Sequence, residues 1–254
     1  MIMLNEIIIA KILNGPKHIM NSQDDFKFLK LDSMGPEGNT LATYDNEPIT
    51  VFGGIPEEEV IAQIFRIQTK RQKNTSAIVT EVLKPSKHRI KPPCPYFGPC
   101  TGCQWQHIEY SFQLQLKQQN IENEFAKYSN LEDIHISKTM PCPLEFDYRN
   151  HARFTVRNNG ELGFVNRITR KFIRVDSCML MTPWINDALQ FLQTKCKETT
   201  QLSIRYGINT GESIIQPKLH NSNIHLSSGQ THYQENVSGT PFRIGSPSFF
   251  QVNT

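Results

Sequence analysis

The sequence predicts a multidomain α+β chain in which a small β-barrel of OB type precedes a larger α+β domain. Three observations carry this reading. About five short strand-like runs, separated by turn residues, crowd into residues 26–83, and such density suits a small closed barrel. A connector rich in proline and basic residues follows at 85–93. Beyond it, segments of helical period alternate with hairpin signals.

Residues 1–20 form a leader with no readable role. Residues 26–31 alternate partly, and Met34-Gly-Pro-Glu-Gly38 is a turn cluster. Runs at 40–44, 48–52, 59–67 and 76–83 are rich in β-branched and aromatic residues and complete the barrel. Barrels of this type commonly take single-stranded or looped nucleic acid. Lys70, Arg71 and Lys73 fall between the last two runs, where a loop would present them to phosphates.

Prolines and glycines between Pro93 and Gly102 break any regular element there. Leu114, Ile121, Phe125 and Tyr128 share one face at helical spacing, which predicts a helix over 110–128. Asn158-Asn159-Gly160, between strands at 153–157 and 161–165, is a hairpin signal. Asn209-Thr210-Gly211, between 203–208 and 212–216, is a second. Residues 172–175 read as a strand, 184–195 as a helix and 240–254 as an extended tail.

Hydrophobic residues make up 38% and charged residues 20% of the 254, which is globular composition and excludes a disordered chain. No run approaches the roughly 18 apolar residues of a membrane span, and the N-terminus lacks the pattern of an export signal. A cytoplasmic, monomeric protein with reduced thiols is expected. The net charge of +3 is unevenly spread. Residues 66–91 carry eight lysines and arginines against one acid, and residues 147–174 carry seven against two. Two basic blocks on an otherwise acidic body suggest a polyanion-binding surface.

The cysteines carry the sharpest signal. Cys94-Pro-Tyr-Phe-Gly-Pro-Cys100-Thr-Gly-Cys103 holds three of the six, spaced C-x5-C-x2-C. Three clustered thiols with a fourth far downstream, Cys178, suit a 4Fe–4S centre. Structural zinc usually takes two short cysteine pairs, and only one is present. A radical enzyme of the S-adenosylmethionine class would place three residues, not five, between the first two cysteines. Zinc and unligated buried thiols remain open as alternatives. Cys142, in Met140-Pro-Cys-Pro143, competes with Cys178 as fourth ligand, and Cys196 is incidental.

The stretch Pro92-Pro-Cys-Pro-Tyr-Phe-Gly-Pro-Cys-Thr-Gly-Cys-Gln-Trp-Gln-His-Ile108 strongly resembles the iron–sulfur RNA uracil-5-methyltransferases, among them the bacterial 23S ribosomal RNA enzymes. Phe146-Asp-Tyr-Arg-Asn-His-Ala-Arg-Phe154, Val175-Asp-Ser-Cys178 and Ser246-Pro-Ser-Phe-Phe-Gln-Val-Asn-Thr254 agree with it in order and rough distance. The resemblance spans 25–254. It implies Cys94, Cys100, Cys103 and Cys178 as metal ligands, a TRAM-like RNA-binding barrel at 21–85, and an iron–sulfur and central domain at 86–245. It also implies the start of a methyltransferase domain at 246–254, with Gln251 contacting S-adenosylmethionine.

The family's reaction, as the resemblance implies it, adds a cysteine thiolate to uracil C6 so that C5 can take the methyl group, with the base out of its stack. Arg149, Arg153 and Phe154 are expected to contact RNA, ribosomal more than transfer RNA, while Trp105 and His107 pack around the cluster. The cluster is expected to be structural. The family's glycine-rich cofactor loop, its Asp-Pro-Pro-Arg type segment and its late nucleophile in a Ser-Cys-Asn-Pro setting are not found. The expected fold class therefore includes an absent Rossmann-like methyltransferase domain, and the chain reads as an inactive N-terminal fragment with no catalytic residue to name. Two rival classes are a stand-alone iron–sulfur RNA-binding module and a ferredoxin-like electron carrier, the latter disfavoured by the barrel.

Overall fold

The computed structural model describes residues 25–68, 73–129, 131 and 134–254; the leader expected at 1–20, Lys70 and Arg71 lie outside them. The chain divides into two units, one of residues up to 141 together with 167–171, the other of 142–166 with 172–254.

In the first unit, six strands form one sheet: β1 Phe26–Lys30, β2 Ser33–Met34, β3 Thr40–Tyr44, β4 Glu47–Phe52, β5 Glu59–Gln68 and β6 Lys73–Lys84. Their order is β1-β5-β6-β4-β3-β2. Only Leu31 and Asp32 separate β1 from β2, so the two ends of the order are halves of one bent strand and the sheet closes into a five-stranded barrel. β4 and β6 run parallel and every other pair is antiparallel. That is the topology of an OB-type barrel. Asp45 and Asn46 turn the β3–β4 hairpin with φ of 51° and 64°, the left-handed values a two-residue turn needs. Leu29, Leu31, Ala42, Ile49, Val51, Val60, Ala62 and Ala77 fill the interior.

One end of the barrel is closed by a buried ion pair. Glu58 is fully buried and accepts from Arg89 Nε and Nη2, both at 2.6 Å. The same carboxylate accepts the backbone N–H groups of Ile55 (2.9 Å) and Ser86 (3.1 Å), and Arg89 also donates to the Gly53 carbonyl at 2.9 Å. A charge taken from water needs this many partners. The connector is thereby fixed to the barrel.

Helix α1, Tyr110–Phe125, follows. Its Leu116 and Phe112 pack with Met34, Ile55, Ile108 and Trp105 in a second core. The face expected from periodicity is not the packed one: Ile121 and Tyr128 are exposed. Phe112 and Leu116, in the first two turns of α1, decide which face packs on the second core.

In the second unit, β7 His151–Val156, β8 Leu162–Val165, β9 Phe172–Arg174, β10 Gln201–Tyr206 and β11 Ser213–Gln216 form an antiparallel sheet of order β11-β10-β7-β8-β9. Helix α2, Pro183–Leu192, starts with proline, whose fixed φ suits that position. It buries Ile185, Ala188, Leu189 and Leu192 and contacts β10. The extended tail opens with β13 Thr240–Gly245, which forms a hairpin with the unexpected strand β12 His232–Val237. The hairpin buries Tyr233 and Ile244 with Ile214 of β11.

Two predictions follow from the first unit. Arg89→Met leaves the Glu58 carboxylate buried without its counter-charge and should lower stability by about 3 kcal/mol in urea unfolding; a loss near zero would mean that water reaches Glu58. His107 is buried, its Nε2–H donates to the Gly54 carbonyl at 3.2 Å, and its Nδ1 has no hydrogen-bond partner. Burial, reinforced by the Arg89 charge, lowers its pKa from 6.5 to about 4. The unfolded chain therefore binds the proton more tightly. Stability from this group is complete above about pH 6.5 and falls as pH drops towards 4, by about 2 kcal/mol at pH 5. Thermal melts at pH 7 and pH 5 should show this difference shrink in His107→Gln, whose amide can keep the Gly54 bond.

Candidate functional site

The cysteine run lies in the first unit, bound to the barrel by the residues after it. Gln104 Nε2 donates to the Glu37 carbonyl at 2.8 Å and Trp105 Nε1 to the Gly38 carbonyl at 2.6 Å. Gly38 has φ of 78°, and a Cβ there would lie 3.3 Å from Trp105 Nε1, so glycine suits both the turn and the approach. The Phe97 ring lies 5.4 Å from that of His107. Trp105 and His107 thus tie the loop to the barrel turns.

Inside the loop Gln106 is a clamp. Its Oε1 accepts the Cys94 backbone N–H at 3.2 Å, and its Nε2 donates to Cys103 Sγ at 3.2 Å. One amide thereby spans the first and last cysteines of the run. A Cβ on Gly102 would stand 3.3 Å from Cys100 Sγ, and Gly98 turns the chain with φ of 89°. Thr101 Oγ1 accepts the backbone N–H of Arg167 at 3.0 Å, which brings the 167–171 segment onto the loop. All six cysteines are thiols. Among the described residues, no three histidine, cysteine or acidic side chains are gathered as a metal-holding group. The donor chemistry nevertheless fits a thiolate-ligated cluster: three half-buried thiols share one loop, and an amide N–H already faces one sulfur. Sequence spacing could not reveal the clamp, because nothing in it distinguishes Gln106 from Gln104.

Cys178 belongs to the second unit, in a turn held by Asn186 of α2. Asn186 Oδ1 accepts the Cys178 N–H at 2.8 Å, and its Nδ2 donates to the Cys178 carbonyl at 3.1 Å. Cys142 Sγ accepts from Asn253 Nδ2 at 3.3 Å. Cys196 is fully buried, and burial pushes its thiol up to about 11, so it is an inert core residue.

The β7 residues alternate. Ala152, Phe154 and Val156 are buried on one face, and His151, Arg153 and Thr155 occupy the other. The expectation that Phe154 stacks on RNA is therefore corrected: it has no exposed surface and packs 5.2 Å from the Phe164 ring. Two-residue periodicity commits it to the core face once Arg153 faces outward. Arg153 is exposed and donates to Gln201 Oε1 at 2.6 Å. Arg149 is half-buried, its Nε donating to the His151 carbonyl at 3.2 Å. His151 Nε2 lies 3.1 Å from Ser203 Oγ. Burial, with the charges of Arg205, Arg149 and Arg153, lowers its pKa to about 4, so it is neutral near pH 7. Lys73 opens β6.

Gln251 is exposed. Its segment is held at the head of β7 by Asn150, whose Nδ2 donates to the Gln251 carbonyl at 3.2 Å and to Thr254 Oγ1 at 2.6 Å. The Asn150 backbone N–H donates to the Val252 carbonyl at 2.8 Å. Asn150 is buried and no sequence pattern had singled it out.

No protein-family model matches the chain. Among curated proteins, an uncharacterized RNA methyltransferase of Aquifex aeolicus is 26% identical over 85% of this chain and 58% of its own length. The 23S rRNA (uracil(1939)-C(5))-methyltransferase RlmD of Acidithiobacillus ferrooxidans is 28% identical over 72% of this chain and 41% of its own. Among solved structures, the Pyrococcus abyssi tRNA (uracil-54, C5)-methyltransferase in complex with S-adenosyl-L-homocysteine matches with a TM-score of 0.63 and 17% identity. That match covers 89% of this chain and 61% of the other. The chain thus spans about half the length of the curated relatives it matches.

The fold class expected from the sequence is corrected on its last element. A likeness to a solved methyltransferase over 89% of this chain, and to a curated one over 85%, overturns the description of a fragment that lacks the methyltransferase domain. The expected inactivity rested on that description and loses its support. By sequence this chain is similar to RNA methyltransferases, and by fold to a solved tRNA methyltransferase.

Proposed function

We propose that this chain belongs to a cytoplasmic, monomeric RNA uracil-5-methyltransferase that uses S-adenosylmethionine and acts on 23S ribosomal RNA. The observation that carries the reading is the C-x5-C-x2-C loop with its Gln106 clamp, in a chain similar to proteins named RNA methyltransferases. The barrel of residues 21–85 is the RNA-binding module, with Lys70, Arg71 and Lys73 as its contacts. Residues 86–245 form the cluster-bearing and central part, in which Arg149 and Arg153 contact RNA. Gln251 contacts S-adenosylmethionine. No residue of this chain is assigned as nucleophile or base.

The cluster is a 4Fe–4S centre ligated by Cys94, Cys100 and Cys103, with Cys178 the fourth ligand expected from the sequence. When bound, such a centre cross-links the thiolates that hold it and stabilises the fold around them. This chain's residues supply the rest: Gln106 orients the loop and donates to sulfur, and Asn186 fixes the turn at Cys178. Amide N–H groups facing thiolates favour the ionised form that ligates.

Two experiments test this. The full protein, incubated with S-adenosylmethionine and unmodified RNA, should form 5-methyluridine detectable by nucleoside mass spectrometry. Methylation of transfer RNA alone would refute the ribosomal assignment, and none on either RNA would sink the enzyme reading. Protein purified without oxygen should contain iron and sulfide. Cys94→Ser, Cys100→Ser, Cys103→Ser and Cys178→Ser should each lose most of both, whereas Cys142→Ser and Cys196→Ser should keep them. Gln106→Leu should bind iron but lose it faster in air. Zinc in place of iron would overturn the cluster assignment.

A further inference from the structure

The outward face of the second unit's sheet carries an aromatic residue, Phe172 of β9. Strand pairing places Gly163 of β8 opposite both Thr155 of β7 and Arg174 of β9. Gly163 has no side chain, and a Cβ there would come within 2.8 Å of the Phe172 ring. The ring therefore lies across the sheet over that glycine. The Arg157 guanidinium sits above it, 5.2 Å from the ring centre, within the range of a cation–π contact. Arg153 is exposed four residues earlier on the same face, about 13 Å away at strand spacing. Beside the pile, a hollow of about 330 Å³ is lined by Arg157, Asn158 and Asn159. Arg174 is already engaged by Glu161 at 3.7 Å and Asp176 at 3.0 Å.

We infer that this face is a stacking platform for unpaired RNA bases, with the Phe172–Arg157 pile taking a base and Arg153 a neighbouring phosphate. The chemistry is specific to single strands. An unpaired base has a free π-face that stacks on aromatic rings or guanidinium planes, and a duplex hides that face. Exposed asparagine amides at the hollow supply donors and acceptors for a base edge. Ser203 and the neutral His151 put no negative charge beside Arg153. The inference rests on the RNA-binding reading above and adds a place and a contact mode to it.

The test is fluorescence anisotropy of the intact chain with labelled single-stranded oligouridylate, against a blunt RNA duplex, over a range of salt. Phe172→Leu should weaken single-strand binding roughly fivefold, the low end of a base–aromatic stack, and Phe172→Tyr should restore it. Arg157→Gln, at an exposed position, should also weaken it. Arg153→Gln should reduce the salt slope by about 0.7, one phosphate contact on a single strand. Lys218→Gln, elsewhere in the unit, is the control, and circular dichroism checks folding. If the unaltered chain binds RNA but Phe172→Leu and Arg157→Gln bind equally well, the platform is refuted while RNA binding stands. If the unaltered chain binds no RNA, both ideas fall. Preference for the duplex would overturn the stacking mode.

Discussion

Within the first unit, the buried Glu58 carboxylate is the constraint on which the rest depends. It holds the backbone N–H groups of Ile55 and Ser86 as well as the Arg89 guanidinium, so one carboxylate joins the barrel's closing turn to the connector. Arg89 then pairs with Ile108 as an isolated bridge. Ile108 in turn enters the second core with Met34, Ile55 and Leu116. The cysteine loop lies between Arg89 and Ile108 in sequence, so both of its ends are pinned. A loop rich in proline and glycine has no ladder of its own, and its geometry must come from fixed ends and side-chain bonds.

The second unit uses a different device, the two-sidedness of an antiparallel sheet. Apolar residues of β7 and β10 face the core, and α2 contributes its own apolar stripe. That leaves Arg153 of β7 on the other face without any need for a buried counter-charge. Arg205 is the exception. It is buried, it donates to the Ser248 carbonyl at 2.7 Å, and the β12–β13 hairpin and the segment after it cover that end of the face. The open part is therefore the Arg153–Arg157 half, not the whole sheet.

Much of this was legible in the sequence. Strands at 40–44, 48–52, 59–67 and 76–83 were visible because β-branched and aromatic residues are concentrated there, and Asn158-Asn159-Gly160 marked its hairpin. What escaped was anything set by tertiary partners. β12, with His232, Gln234, Glu235 and Asn236, is too polar to read as a strand; it pairs because Tyr233 has a core to enter and Glu235, fully buried, caps the backbone of Ile208, Asn209 and Asn236. Phe154 and Phe172 are both aromatic strand residues in a basic block. Only the register, which pairs Phe172 with Val165 and sets its ring over Gly163, shows which one faces outward.

Three side-chain amides show the same limit at the candidate sites. Gln106, Asn186 and Asn150 each bind backbone or sulfur on a segment that has no regular structure: the Cys94 loop, the Cys178 turn and the Gln251 tail. An amide offers a donor and an acceptor on one rigid plane, so it can replace the ladder such a segment lacks. It does so without bringing charge near a thiol or the Gln251 tail. A carboxylate at position 106 could accept the Cys94 N–H but could not donate to Cys103 Sγ, and ionised it would repel a thiolate there. The chemistry expected of the loop thus explains why its clamp is glutamine, although spacing alone gives no reason to look at that position.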